Sequence, residues 1–300
     1  MRVLRQALAV AAYDFRTWRR NPRIFVAFSM AVILCFLLSD KVVTFAETYD
    51  TSLQILEPFI WTFSDSTSVL LASLLLVFLF SDLPFNTNGT PFFLMRTTRR
   101  AWLLGQGIYI VAGTLLYMLF ILAATSLVCA VNAFPGNMWS STAAMLGYSR
   151  AGSAIAVPAT IKEMEMSTPY SCAAEIFLLM TGYALVMMSV MLLCNLWKGQ
   201  RAGMIAVFAF SLYGILLDPD IFATVLRLSE QEYYRANVLA GWLSPLNQAT
   251  FPRHNFGYDL LPRLSQTYMI FAALAAALFA VSLRLIRHYN FSFTGTQSGK

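Results

Sequence analysis

Residues able to do chemistry are few and scattered in this chain. There are two histidines, His254 and His288, and four cysteines, Cys35, Cys129, Cys172 and Cys194. Neither histidine has a second ligand at metal-binding spacing, no His-Glu-x-x-His occurs, and no two cysteines form a metal-binding pair. The cysteines read as small buried hydrophobes, with a Cys129–Cys172 disulfide near the outer face as the alternative. The nearest thing to a phosphate-binding loop is "GTQSGK" at 295–300, which lacks the final Ser or Thr and precedes no helix. "GYSRAG" at 147–152 lacks the closing glycine of a nucleophile elbow and reads as a loop. Carboxylates deep in an apolar run would mark an ion route. Glu57 only precedes such a run, and Asp65 and Glu175 stand at run ends, within reach of water. The sequence thus predicts no catalytic residue, no metal site and no cofactor held by this chain.

What remains is charge, and it is concentrated. "LMRTTRRAWLLGQ" at 94–106 places Arg96, Arg99 and Arg100 between one apolar run and the next. The rest of the chain explains the placement. Of its 300 residues 58% are hydrophobic and 12% charged, against about 25% charged in a soluble domain. Mean hydropathy is +0.62. So little polar surface cannot cover a soluble core of this size. No interleaved basic and aromatic platform for a nucleic acid is present, although the net charge is +6.

A spanning helix needs about 20 mostly apolar residues. Six runs qualify: 24–38 with some extension, 64–81, 102–131, 172–197, 202–217 and 267–286. The fifth covers 16 residues and rises only about 24 Å. "DPD" at 218–220 stops it, so its ends borrow neighbouring residues or its backbone breaks while shielded by protein. With the amino terminus inside, the inner segments and helix ends hold 14 of the 21 basic residues and 2 of the 15 acids, Asp14 and Asp82. The excess of Lys and Arg favours that orientation, an even number of crossings and both termini in the cytoplasm. Arg96, Arg99 and Arg100 then pin the connection between the second and third spans inside, where anionic headgroups hold them.

The expected layout is an interfacial helix in segment 1–23, a six-helix membrane domain over 24–286 with outer loops 132–171 and 218–266, and a cytoplasmic tail, 287–300. Over 3–19, Leu4, Leu8, Ala11, Phe15 and Trp18 recur at steps of three and four, with Arg19 and Arg20 following. Such a helix lies in the interface with its apolar side down, and "RNP" at 20–22 turns it into the first span. Loop 132–171 reads as loosely folded. Loop 218–266, with "IFATVLRLSEQEYY" helix-like and Pro245 breaking "NVLAGWLSPLNQAT", suits half-helices dipping toward the bilayer. Met180, Met187, Met188 and Met191 read as a packing face. In the connector, "PFFLM" beside the arginines seeks headgroups or a partner protein.

This arrangement resembles the ABC-2 type permease family, the membrane subunits of exporters driven by a separate ATP-binding protein. The likeness rests on "LRQALAVAAYDFRTWRRNPRIF" at 4–25, "SDLPFNTNGTPFFLMRTTRRAWLLGQ" at 81–106, and 218–266 before "TYMIFAALAAALFAVSL". It implies an all-α polytopic fold with a coupling helix between the second and third spans and re-entrant helices between the fifth and sixth. It implies a non-catalytic subunit in a bacterial cell membrane, with ATP and Mg²⁺ on a soluble ABC ATP-binding partner. A second permease, identical or related, would complete the pathway amid membrane lipids. Pro84, Phe85, Phe92, Phe93, Arg96, Arg99 and Arg100 would then form the ATPase-coupling surface. The readings that compete with it are a self-contained channel or secondary transporter, and a structural or sensory membrane protein.

Overall fold

The computed structural model describes residues 2–84, 95–130, 133–149, 151–155, 157, 159–257, 259–287 and 289. Phe85, Phe92, Phe93, His288 and residues 290–300 lie outside them. The first helix, α1 (Arg2–Thr17), ends in a 3₁₀ turn, Trp18–Arg20. Asn21 then caps α2 (Pro22–Thr48), accepting from the Arg23 N–H at 3.2 Å. Pro22 sits in the first turn, where its missing N–H costs nothing. The first span thus begins where "RNP" places it, but runs past 38 to Thr48.

The second run, expected over 64–81, gives α4 (Ser66–Leu79), and a separate short helix, α3 (Glu57–Phe63), precedes it at a bend of 94°. Asp65 makes the break, because its Oδ2 accepts from the Ser68 N–H at 3.1 Å and starts a new helix. α4 has 14 residues, which rise about 21 Å, less than the roughly 30 Å of a hydrocarbon core. Thr98 caps α5 (Arg99–Val128), accepting from the Ala101 N–H at 3.2 Å.

Segment 132–171, expected to be loose, is built. It holds α6 (Ser141–Tyr148), α7 (Ala151–Ala154) and α8 (Ile161–Met166). The 147–152 stretch, expected as a loop, supplies the end of α6 and the start of α7. A two-residue parallel pairing, β1 (Leu53–Gln54) with β2 (Ala133–Phe134), staples this segment to the loop after α2. Two buried carboxylates do more. Glu57 accepts from the Ser140 N–H at 2.8 Å, the Ser140 hydroxyl at 2.5 Å and the Gln54 N–H at 3.3 Å. Glu163 and Thr160 cap the start of α8 reciprocally. Burial pushes the Glu163 carboxyl up to about 7. The sequence shows no partner for either acid because the partners lie in other segments or depend on the local cap.

Pro169 opens α9 (Pro169–Lys198), and Gly199, at φ +90°, turns it into α10 (Gln200–Leu216). That left-handed conformation is the one glycine takes at little cost. Asp218 then caps α11 (Pro219–Val225), bent 70° from α10, so the fifth run does break at "DPD". The helix expected through "IFATVLRLSEQEYY" ends at Val225, with Arg227 at φ +50°. α12 (Tyr233–Leu243) and α13 (Pro245–Gln248) follow, divided at Ser244, before α14 (Leu264–Leu285).

Among the described residues four helices, α2, α5, α9 and α14, are long and apolar enough to cross a membrane, and up to six spans result if each bent pair counts as one. α9 is the central column: Met180, Met187, Met188 and Met191 are at most 1% exposed, as core packing requires. α2 and α14 by contrast present bare apolar side chains, including Phe25, Leu37 and Met269. Lipid is the solvent that tolerates such faces. All four cysteines are free thiols, so the Cys129–Cys172 disulfide does not form.

Candidate functional site: the connector between the second and third spans

The connector leaves α4 at Ser81 and re-enters helix at Arg99, and the described residues on both sides are held by other helices. Arg23 on α2 donates through Nη1 to the Ser81 hydroxyl at 2.7 Å and pairs through Nη2 with Asp82 at 2.5 Å. Asp82 is half open to solvent, so the ion pair itself adds at most about 1 kcal/mol. Asn195, 1% exposed near the end of α9, donates to the Leu83 carbonyl at 2.5 Å. Its Oδ1 accepts from the Gly203 N–H of α10 at 3.0 Å. Gln6 of α1 donates to the Arg96 carbonyl at 3.2 Å. The Arg99 guanidinium donates to the carbonyls of Arg287 at 2.8 Å and Tyr289 at 3.3 Å, beyond the end of α14. One segment is therefore tied to α1, α2, the α9–α10 turn and the end of α14.

Of the residues expected to form a coupling surface, Arg96, Arg99 and Arg100 are exposed at one end of the molecule. Pro84 is buried, which corrects its expected place on a docking face. Asn195 holds the Leu83 carbonyl, and Leu83 and Pro84 beside it pack inward. Phe85, Phe92 and Phe93 fall outside the described residues.

α1 forms the floor beside this connector. Its face buried against the protein is Ala7, Val10, Ala11 and Asp14, of which Ala11 belongs to the expected stripe. Leu4 and Leu8 are 60% and 51% exposed, while Phe15 and Trp18 pack inward. The reason is Gly105 on α5, which lets the α1 backbone approach so closely that an added Cβ would lie 2.8 Å from the Ala7 carbonyl oxygen. Arg19 and Arg20 remain exposed, as headgroup contacts require. Trp18 donates to the Tyr109 hydroxyl at 2.8 Å. Phe15, Trp18 and Phe80 all meet the Tyr109 ring, with centroids 5.0, 6.2 and 5.4 Å away, so α1, α4 and α5 share one aromatic joint.

Asp14 accepts from the Gln106 amide at 2.7 Å. Burial pushes its carboxyl up to about 7, partly offset by that hydrogen bond. Its ordinary value is near 4, so between about pH 4 and 7 the docked helix keeps a proton that a detached helix releases. Docking therefore weakens as pH rises through that window and levels off above it. We expect spin labels at residues 8 and 100 to report a growing detached population from pH 5 to 8. Asp14→Asn, which keeps an acceptor for Gln106, should abolish the trend. A wild-type distance distribution unchanged with pH would refute it.

No family model, curated protein or solved structure matches this chain. The reading of the site therefore stands on geometry and on layout.

Four residues that matter here were not singled out from the sequence. Asn195 is a lone amide ending an apolar run, and Gln6 and Gln106 look like ordinary polar positions. Asp14 did leave a signal, since Ala7, Val10, Ala11 and Asp14 share one helical face.

Proposed function

We propose that this chain is the permease subunit of an ATP-driven exporter, with both termini and the arginine connector in the cytoplasm. A separate ABC ATP-binding subunit holds ATP and Mg²⁺ and docks on the connector. A second permease, identical or related, faces this one across the pathway, and the bare faces of α2 and α14 meet it or lipid. The observation that carries the reading is the set of tethers from one short segment to α1, α2, the α9–α10 turn and the end of α14. A displacement applied there reaches most of the bundle, which is what a two-state body moved by an external motor needs.

Gentle purification from the native membrane should bring an ATPase with the chain. Arg99 is bound within the protein, so Arg96 and Arg100 are the informative positions for docking. Charge reversal at both should weaken ATPase association by about tenfold or more, with cysteine accessibility at 95–100 still cytoplasmic. An outward-facing connector would sink the proposal. So would ATP hydrolysis by the chain alone, or substrate flux through liposomes that contain nothing else.

A further inference from the structure

α5 and α14 both pack on α9, and an apolar groove of about 510 Å³ runs between them. Leu104, Val111 and Leu115 line it from α5, Leu185 from α9, Ala276 and Phe279 from α14. Val111 and Leu115 stay 45% and 38% exposed. Ser189 brings the one polar side chain to the wall, and its hydroxyl already donates to the Leu185 carbonyl at 2.7 Å. No wall side chain is left to hydrogen-bond an occupant. The dimensions are those of one lipid chain. From Leu104 to Leu115 the groove rises about 16 Å along α5, about half of a roughly 30 Å hydrocarbon core. A spanning helix from a second copy would need a face as long as the whole core. The volume holds about 17 groups the size of a liquid water, roughly 30 Å³ each, and a methylene is about that size.

One end of the groove is basic. Arg100 stands one turn before Leu104 on the same face of α5, and Arg287 follows Ala276 by three turns on α14 and the turn that ends it. The Arg99 guanidinium donates to the carbonyls of Arg287 at 2.8 Å and Tyr289 at 3.3 Å, so the two helix ends meet there. That bond also covers carbonyls past α14 that would repel an anion, and the amino-terminal end of α5 adds positive potential. Arg100 and Arg287 are exposed and pair with no acid among the described residues.

We propose that this groove binds an anionic phospholipid, with one acyl chain between α5 and α14 and the phosphate held by Arg100 and Arg287. A guanidinium matches two phosphate oxygens at once. A zwitterionic headgroup would bring its own cation to a place that offers only cations, and a glycerol headgroup brings none. The inference does not rest on the export reading. Arg100 also belongs to the proposed docking surface, so the informative positions are Arg287 and the groove itself.

The test uses the full chain, delipidated in detergent, with native mass spectrometry of retained lipid. Glycerol, ethanolamine and choline phospholipids of matched chains are added separately. The wild type should retain the glycerol lipid about tenfold better than the other two, and Arg287→Gln should lower that retention about fivefold. Arg284 is exposed too but stands on another face of α14, so Arg284→Gln should leave retention unchanged. Ala276→Trp keeps every arginine and fills the groove, and it should lose the lipid. Ala276 is exposed, so the new ring displaces no packed neighbour, and an unchanged melting midpoint verifies this. Val111→Trp should do the same from the other wall. A glycerol lipid with a diazirine in its chain should crosslink to 104–115 and 275–279. Equal losses from Arg284→Gln and Arg287→Gln would reduce the site to a basic surface and overturn the proposal. Undiminished retention in both tryptophan variants would also overturn it. So would a dimer that those variants break while lipid retention stays, which would give the groove to a second copy of the chain.

Discussion

Asn195→Ala should lower the stability of the protein by about 2–6 kcal/mol and disconnect the connector from α9 and α10. The amide bridges two backbone groups that have no water to turn to: the Leu83 carbonyl at 2.5 Å and the Gly203 N–H at 3.0 Å. Truncation leaves both without the bond, and an unmade buried bond costs about 1–3 kcal/mol apiece. The functional loss should exceed the loss of folded protein, because the bridge joins the segment proposed to receive the motor to the turn between two spans. The measurements are the detergent melting midpoint and, in the reconstituted complex, the export produced per ATP hydrolysed. Gly203→Ala should produce the same defect from the other side, since its Cβ collides with the Asn195 side chain. In an Asn195→Ala background that collision is gone, while the Met191 carbonyl oxygen at 2.7 Å remains. The second substitution should then cost less than it does alone, the signature of two residues acting through one contact. Strict additivity, or an Asn195→Ala protein with wild-type coupling, would show that the bridge does not transmit the motion.

The second large effect belongs to Gly105→Leu, expected to lift α1 from the bundle. Even the first carbon of the new side chain would lie 2.7 Å from Val10 Cβ and 2.8 Å from the Ala7 carbonyl oxygen. Backbone cannot step aside as a side chain can, so α1 itself must move. Moving it exposes Ala7, Val10 and Ala11, opens the Asp14–Gln106 hydrogen bond and separates Trp18 from Tyr109. The cost is at least the 1–3 kcal/mol of ordinary overpacking, and more once those contacts go. Protease should cut at Arg16, Arg19 and Arg20 at least tenfold faster than in the wild type. Gly107→Ala is the control. Its Cβ meets the far edge of the Phe279 ring, which can rotate, so α1 should stay protected. Equal protection of α1 in Gly105→Leu would mean that the helix is held by the interface and not by α5.

Much of the architecture was legible in one dimension because hydropathy and charge are properties that each residue carries with it. The apolar runs placed the long helices, Asn21 and Pro22 placed the start of α2, and the "DPD" break placed the end of α10. The methionine face of α9 read as packing and packs. The run at 64–81 gave α4, and Asp65 is the helix-end carboxylate it looked like, but the same local arithmetic did not show α3 before it or the 94° bend between them. It misread segment 132–171, whose order depends on Glu57 reaching Ser140 across 83 residues.

What belongs to tertiary structure alone is the choice of partners. Periodicity found a stripe on α1, but only the close approach at Gly105 of α5 decided that Ala7 and Val10 join Ala11 against the protein while Leu4 and Leu8 stay exposed. Asn195 meets Leu83 across 112 residues, and Asp14 meets Gln106 across 92. Composition and periodicity determined that the chain is made of membrane-length apolar helices with a basic connector, because transfer free energy accrues residue by residue. Only the folded bundle decided which polar groups meet and which stay empty, because a hydrogen bond depends on distances and directions that no linear pattern contains.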